Sequence, residues 1–282
     1  MKAYKMVAVN IDGIMVNKEN KMSKRTKAAV EYLTRKGVVV TLMTDQPFSH
    51  AKKAAKALKL DGFIVAHGGA FVSDTNKNEW FNRPLEMDNA LDICHVLERF
   101  DCETRLLYGD HAISTRSQHK QTLLAKMSFG SPGEQMVYPT TYVNSLYEQV
   151  LKEGAGPLNM AISCEEQADL NHICSILEQE VPDIEITVKE NGQCLIVGKG
   201  AGKARALQWL VRQRGMELEQ VVAIGVHDED VELLEMVGLG VAMGDANTAL
   251  QESATWVTRT VDQEGFAYMV HEVFRKQLRI QV

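Results

Sequence analysis

The sequence has no excess of positive charge, and this absence limits its partners. Its 31 lysine and arginine residues are outnumbered by 37 aspartate and glutamate residues, which gives a formal net charge of -6. Proteins that bind nucleic acid by neutralising phosphates carry basic patches, and the sequence has none. We therefore predict no nucleic-acid partner.

Long apolar runs are also missing. The longest uninterrupted apolar stretches have the length of a strand, far short of the roughly 20 residues that a membrane-spanning helix needs. The first ten residues, MKAYKMVAVN, lead into a strand pattern without the regions of a signal peptide. We predict a cytoplasmic protein with no membrane partner.

The cysteines are too few and too scattered for a metal site or a disulfide framework. The five are Cys94, Cys102, Cys164, Cys174 and Cys194, and no two have Cys-x-x-Cys spacing. An odd number of cysteines in a reducing compartment predicts free thiols. We assign them no catalytic role.

Both ends of the chain contain alternating strand and helix patterns. At 282 residues the chain is long for one core, so two domains are expected. Strand patterns at 6–9, 38–44 and 62–72 alternate with helix patterns at 23–37 and 49–60. Later helices are predicted at 203–214, 228–238, 247–254 and 265–278, and later strands at 221–225, 240–244 and 256–260. This order is typical of a doubly wound, mostly parallel α/β sheet.

The middle of the chain has a different pattern. A helix is predicted at 85–100, and a hairpin at 184–198 has Asn191-Gly192 in its turn. A loop-rich stretch spans 129–142. We predict an α+β domain at 83–198, with mostly antiparallel strands, inserted into a core domain formed by 1–82 and 199–282.

Polar residues follow four segments of the predicted core, where ligands of open α/β sheets bind. These residues are Asn10, Asp12 and Gly13; Thr44 and Asp45; Lys203; and His227, Asp228, Glu229 and Asp230. Carboxylates are Mg²⁺ ligands, whereas a hydroxyl, backbone N–H groups and an ammonium bind phosphate oxygens. We therefore predict a phosphate site that contains Gly13, Thr44, Asp45 and Lys203.

Each of these residues also has a simpler interpretation. Asn10 at a strand end is consistent with a cap, and Thr44 is a common strand-end residue. Lys203 competes with Lys199, four residues earlier, for the ligand-facing position. His227 is interpreted as an exposed loop histidine, because no second histidine has ligand spacing with it.

The order and spacing of these segments resemble the haloacid dehalogenase superfamily, specifically its Cof-type sugar-phosphate phosphatases. The resemblance rests on VNIDG near the start, GKGAGKARALQWL at 198–210, the segment 223–258 and EGFA at 264–267. It implies a Rossmann-like core with a large α+β cap inserted between the second and third motifs. The implied activity is Mg²⁺-dependent hydrolysis of phosphomonoesters through a phosphoaspartate.

The resemblance also implies roles for single residues. Asn10 occupies the position of the nucleophilic aspartate, and Asp12 that of the general acid/base, which also offers its backbone carbonyl to Mg²⁺. Thr44 matches the hydroxyl of the second motif and Lys203 the lysine of the third. Asp12, Asp228 and Asp230 are the carboxylates that remain for a metal.

The chain departs from the family pattern at these motifs. A carboxamide at Asn10 is a very poor nucleophile and offers a metal only one oxygen. The fourth motif, Gly-Asp-x-x-Asn-Asp in the family, starts here with Gly225-Val226 and so loses a metal-binding carboxylate. The family's Thr-Gly-Arg is Thr44-Asp45-Gln46, and its Asn-Gly is Gly68-Gly69.

These departures leave three hypotheses. The first is a homologue of the phosphatases with weak or no activity and weakened Mg²⁺ binding. The second is an active phosphatase on a small phosphorylated metabolite that uses Asp12 with Asp228 or Asp230. The third is a non-catalytic ligand-binding or regulatory protein that keeps the cleft for a phosphorylated small molecule. The sequence leaves the oligomeric state open.

Overall fold

The computed structural model describes residues 3–16, 21–115, 138–189 and 192–275. The chain divides into two compact units, which are treated separately here. The core unit comprises Met1–Phe81 and Lys203–Val282, and the inserted unit comprises Asn82–Gly202. That the inserted unit acts as a cap stays a prediction of the family resemblance.

The secondary structure elements are numbered along the chain. The strands are β1 (Met6–Asn10), β2 (Val39–Met43), β3 (Phe63–Ala66), β4 (Phe71–Asp74), β5 (Glu79–Asn82), β6 (Glu103–Leu107), β7 (Ala112–Thr115), β8 (Thr140–Val143), β9 (Asn159–Ser163), β10 (Ile184–Val188), β11 (Gln193–Gly198), β12 (Val221–Gly225), β13 (Leu239–Ala242) and β14 (Trp256–Val257). The α-helices are α1 (Lys24–Arg35), α2 (Phe48–Leu58), α3 (Met87–Leu97), α4 (Leu146–Glu153), α5 (Gln167–Glu180), α6 (Lys203–Gln213), α7 (Val231–Glu235), α8 (Thr248–Ser253) and α9 (Gly265–Phe274).

The core unit is built on an eight-stranded sheet with the order β14-β13-β12-β1-β2-β3-β4-β5. All neighbouring pairs from β14 to β3 are parallel, as the sequence predicts. Every residue of β1 and β12 is buried. Such near-continuously apolar strands are typical of a sheet that is covered on both faces. Because β12, β1 and β2 are parallel neighbours, their carboxyl ends lie side by side at one edge of the sheet.

The third predicted strand, 62–72, is wrong as a single element. β3 ends at Ala66, and the chain reverses so that β4 pairs antiparallel with β3. His67 has φ of 53° and Gly68 has φ of 67°, both in the left-handed region that ends a strand. Gly68 and Gly69, which lie inside this apolar run, belong to the turn between β3 and β4.

Helix ends in the core unit follow from local side chains. The Ser23 Oγ accepts a hydrogen bond from the Thr26 backbone N–H at 2.9 Å and caps α1, as the sequence predicts. The last core strand is shorter than predicted, since β14 contains only Trp256 and Val257. Within the described residues, no helix combines the length and the hydropathy that crossing a membrane requires.

The inserted unit contains a six-stranded sheet with the order β10-β11-β9-β6-β7-β8. Its neighbouring strands pair antiparallel except for β7 with β8, which are parallel. The predicted hairpin at 184–198 corresponds to β10 and β11, but Asn191 of its turn lies outside the described residues, as does most of the loop-rich stretch 129–142. All five cysteines belong to this unit and have free thiols.

Candidate functional site

The predicted site residues of the core unit come from adjacent strands. Asn10 is the last residue of β1, Thr44 and Asp45 follow β2, and Gly225 ends β12. Lys203 is the first residue of α6. Because β12, β1 and β2 are neighbours, the residues at their carboxyl ends share one edge of the sheet.

A direct pair between Asn10 and Asp230 lies at the centre of this edge. The Asn10 Nδ2 donates to both carboxylate oxygens of Asp230, at 2.8 Å each. Asn10 is 4% exposed and Asp230 is fully buried. Amide hydrogen bonds to a buried carboxylate replace part of the hydration that the carboxylate loses on burial. The amide nitrogen of Asn10 is thus a hydrogen-bond partner of Asp230.

Backbone donors complete the surroundings of Asp230. Its Oδ2 accepts hydrogen bonds from the backbone N–H groups of Val226 at 3.0 Å and His227 at 3.2 Å. Gly225 permits this approach, because a Cβ at that position would lie 2.6 Å from the Asp230 Cβ. Both oxygens of Asp230 are therefore already bound by N–H donors.

Lys203 is surrounded by three carboxylates. Its Nζ lies 3.2 Å from Glu229 Oε1, 3.4 Å from Asp230 Oδ1 and 3.7 Å from Asp45 Oδ1. Burial alone would lower the pKa of the Lys203 ammonium, but Asp45, Asp230 and Glu229 outweigh burial and raise the pKa well above its usual value. We call Asp45, Glu229 and Asp230 the carboxylate cluster.

Asp12 and Thr44 form a second, separate pair. The Thr44 Oγ1 donates to Asp12 Oδ2 at 3.0 Å and accepts from the Gln46 backbone N–H at 3.1 Å. Among the described residues, the buried atoms Asp12 Oδ1 and Asn10 Oδ1 have no hydrogen-bond partner. Gly13 has φ of 73°, and a Cβ there would lie 3.0 Å from Val226 Cγ1. The loop after β1 thus packs directly on Val226.

Asp228, the third carboxylate considered for a metal, has another partner. It is exposed, and its Oδ1 accepts a hydrogen bond from the side-chain amide of Asn247 at the start of α8. His227 is partly buried beside Gly13. The structure thus puts Asp12, Asp228 and Asp230 in three different hydrogen-bonded settings.

The donor set does not fit Mg²⁺. This ion requires oxygen ligands in near-octahedral geometry, usually one or two carboxylates with water and phosphate oxygens. Here the oxygens of Asp230 accept N–H bonds, and Val226 contributes no oxygen from its side chain. Among the described residues, no three histidine, cysteine or acidic side chains are grouped to hold a metal ion.

Two further histidines, His50 and His67, lie near these residues. His50 on α2 is partly buried; burial lowers its pKa, and the Asp12 carboxylate opposes that shift. His67 is fully buried, and its Nε2 accepts a hydrogen bond from the Phe48 backbone N–H at 3.4 Å. Nothing in the spacing of either histidine indicates its contact, because each depends on the packing of α2 against the ends of β1 and β3.

His67 should make the protein less stable in acid. Burial lowers its pKa to about 3, so the folded state keeps His67 neutral where the unfolded chain, with a pKa of about 6.5, takes up a proton. The stabilisation that comes from keeping His67 neutral is present above about pH 6.5 and is lost as pH falls towards the pKa of the folded state. The free energy of unfolding should therefore fall by about 2 kcal/mol between pH 7.5 and pH 5.

The matching variant is His67→Gln, which keeps an acceptor and does not titrate. Urea unfolding at pH 7.5 and pH 5 should show a free energy of unfolding that falls about 2 kcal/mol less in the variant than in the wild type. Equal falls in both proteins would mean that His67 titrates normally in the folded state.

The chain is similar to known proteins over almost its whole length. A family model for haloacid dehalogenase-like hydrolases matches residues 7–270. Stress response protein YhaX of Bacillus subtilis (strain 168) is 33% identical over 274 residues, which are 97% of this chain and 94% of that protein. The 5-amino-6-(5-phospho-D-ribitylamino)uracil phosphatase YcsE of the same organism is 24% identical, with 93% of each chain covered. The solved structure of a haloacid dehalogenase-like hydrolase from B. subtilis is 21% identical and superposes with a TM-score of 0.83, over 96% of this chain and all of that one.

Proposed function

The chain belongs to the haloacid dehalogenase-like hydrolase family, and we propose that it is a non-catalytic member that binds a ligand or regulates a partner. The family's phosphatases act on small phosphorylated metabolites such as sugar phosphates. In our proposal this chain keeps their fold and cleft without hydrolysis through a phosphoaspartate. Its cytoplasmic location stays a prediction from the sequence.

The observation that carries the proposal is the pair of Asn10 with Asp230. Transfer of a phosphoryl group to the enzyme through a phosphoaspartate requires a carboxylate that attacks phosphorus, and the amide of Asn10 has no negative charge. Its Nδ2 is instead bound to Asp230. In addition, the donor set around Asp230 does not fit the Mg²⁺ ion that the family resemblance implies. Both requirements of the reaction are therefore unmet at the same pair of residues.

The alternative of an active phosphatase needs another carboxylate to attack phosphorus. Asp12 accepts a hydrogen bond from Thr44, and Asp230 accepts from Asn10 and two backbone amides. Asp228 is exposed and bound to Asn247. Asp228 and Asp230 are engaged by these donors, whereas Asp12 keeps one oxygen, Oδ1, without a hydrogen-bond partner among the described residues. The contacts of Asp228 and Asp230 therefore favour the non-catalytic function, and Asp12 is the residue that the activity test must address. The 33% identical relative carries the name of a stress response protein, and the 24% identical relative carries that of a phosphatase.

The first experiment measures hydrolysis of p-nitrophenyl phosphate by the purified protein with Mg²⁺ and with a chelator. We expect no turnover that depends on Mg²⁺. The control is the Asp12→Ala variant, which carries the same purification contaminants. Turnover that requires Mg²⁺ and disappears in Asp12→Ala would overturn the proposal and make Asp12 a catalytic residue.

A further inference from the structure

A surface cavity of about 280 Å³ lies between α1 and α9 of the core unit. The residues that line it include Arg25 and Ala28 of α1, Arg259 and Glu264 before the start of α9, and Tyr268 and His271 of α9. None of them is one of the site residues at the carboxyl ends of β1, β2 and β12. The cavity is therefore a second concave surface of the core unit, separate from the sheet edge described above.

The lining of this cavity is positively charged in a chain that is negative overall. Two arginines and one glutamate, with His271 counted as neutral, give the lining a net charge of +1, whereas the chain has a formal net charge of -6. The carboxylate of Glu264 already accepts a hydrogen bond from the Ser23 Oγ at 2.7 Å. Within the part of the chain that the structure describes, neither Arg25 nor Arg259 forms an ion pair. Both guanidinium groups are thus available to an anion in the cavity.

Arg259 is positioned by an aromatic ring. Its guanidinium carbon lies 3.8 Å from the centroid of the Tyr268 ring. A guanidinium that contacts a ring through its flat face keeps its N–H groups for other partners, because they lie in its plane. Such a group can bind a carboxylate through two parallel N–H···O hydrogen bonds.

The walls of the cavity are joined by side-chain contacts at two levels. Ser23, which caps α1, donates to Glu264 before the start of α9. About two turns further along both helices, the Tyr32 ring of α1 lies 5.4 Å from the His271 ring of α9. A cavity whose walls are held in this way is largely pre-formed, so a ligand has little ordering of the protein to offset.

We propose that this cavity binds a small aromatic carboxylate. The net charge of +1 matches one carboxylate better than a phosphate dianion, and arginine has the donor geometry that a carboxylate requires. The Tyr268 ring and the Ala28 methyl group offer apolar surface to the flat body of the ligand. The cavity is just below the usual size of small-molecule sites, about 300–1,000 Å³, which suits one or two aromatic rings. The site goes beyond the proposed function and does not depend on it.

The test is a calorimetric titration of the full chain with 2-naphthoate and with its neutral amide, 2-naphthamide. We expect the carboxylate to bind at one site per chain and the amide at least about tenfold more weakly, because it forms no charge-assisted hydrogen bond. The Arg25→Gln/Arg259→Gln variant should bind the carboxylate at least about tenfold more weakly than the wild type does. Ala28→Leu fills the cavity from an exposed position of α1 and should weaken the binding of the carboxylate as well.

Arg205→Gln/Arg212→Gln is the matched control. Both arginines are exposed on α6. The buried residues of α6 pack on the face of the sheet opposite to the face that α1 and α9 cover. This control removes the same two charges and should bind the carboxylate as the wild type does.

Four results would overturn the inference. The wild type does not bind 2-naphthoate, it binds the amide equally well, the control loses as much affinity as Arg25→Gln/Arg259→Gln, or Ala28→Leu binds as the wild type does. Should the double variant be unfolded by circular dichroism, Arg25→Gln at its exposed position still removes one charge and should lose part of the affinity. Turnover of a phosphate ester enters none of these measurements, so a failure here leaves the proposed function standing.

Discussion

Replacing Asn10 and Val226 together by aspartate should create Mg²⁺-dependent hydrolysis of p-nitrophenyl phosphate in this protein. Aspartate at position 10 provides a carboxylate nucleophile at the end of β1. Aspartate at position 226 provides a second carboxylate next to Asp230, at the position where the family resemblance implies a metal ligand. We expect turnover at least about 100-fold above that of the wild type, because in our proposal the wild type has neither the nucleophile nor the metal site.

The physical reason for changing both residues is the environment of Asp230. In the wild type its charge is compensated by the Asn10 amide and two backbone N–H groups. Asn10→Asp alone puts a second buried carboxylate against Asp230 and removes the amide donor, which destabilises the fold unless a cation binds between them. Val226→Asp supplies a further oxygen ligand for that cation.

The single variants are the controls for this prediction. Val226→Asp has no nucleophile and should stay inactive, whereas Asn10→Asp should show less turnover than the double variant and lower stability without Mg²⁺. Addition of Asp12→Ala to the double variant should remove the new activity if Asp12 is the general acid/base. A folded double variant that binds Mg²⁺ and turns over no substrate would show that further residues of the cleft prevent the reaction.

The carboxylate cluster is one such feature, and its contribution is separable. Asp45 and Glu229 should raise the KM of the double variant more than they lower its kcat, because they oppose the binding of phosphate. The Asp45→Asn and Glu229→Gln substitutions in that background should therefore lower KM.

The sequence predicts the core sheet well because its strands are buried on both faces. The runs MVAVN, VVTLM and VVAIG of β1, β2 and β12 are almost entirely apolar, and local pattern alone identifies them. The family also follows from the sequence, because VNIDG and the segment 223–258 keep their spacing. The turn at His67 is missed because a strand pattern continues on both sides of it.

The contacts of the site are beyond what spacing can predict. Asn10 and Asp230 are 220 residues apart in the sequence, and their hydrogen bonds depend on the pairing of β1 with β12. Asp45 and Glu229 are visible as acidic residues, but only the packing of α6 brings Lys203 between them. Residue types therefore predict that a site exists, whereas the fold decides which charges compensate each other.

Lys203→Met should be among the most destabilising single substitutions in the core unit. Methionine keeps the length and flexibility of the side chain and removes its charge. Asp230 is fully buried and Glu229 nearly so, so the loss of the ammonium leaves buried negative charges that repel one another. Removal of one partner of a buried ion pair costs about 3–5 kcal/mol of unfolding free energy.

The matched control is Lys199→Met. Lys199 lies four residues earlier and forms an ion pair with Asp183 at 2.7 Å, but its side chain is 71% exposed. Exposed pairs contribute little because water and salt screen them. Urea unfolding at pH 7.5 should therefore separate the two variants clearly, although both remove one lysine charge. Equal losses would mean that the three carboxylates do not depend on Lys203.

The dependence on pH follows from the same contacts. Burial opposes the charge of Lys203, but the carboxylate cluster raises its pKa in the folded state above that of the unfolded chain. The stabilisation by Lys203 is therefore fully present below about pH 10 and is lost as pH rises through the folded pKa. The loss of unfolding free energy caused by Lys203→Met should stay constant from neutral pH to about pH 10 and become smaller above it.

In the Asp45→Asn/Glu229→Gln background the same substitution should cost less unfolding free energy, because two of the three charges that the lysine compensates are gone. A cost that does not change in this background would show that Asp230 alone holds the lysine.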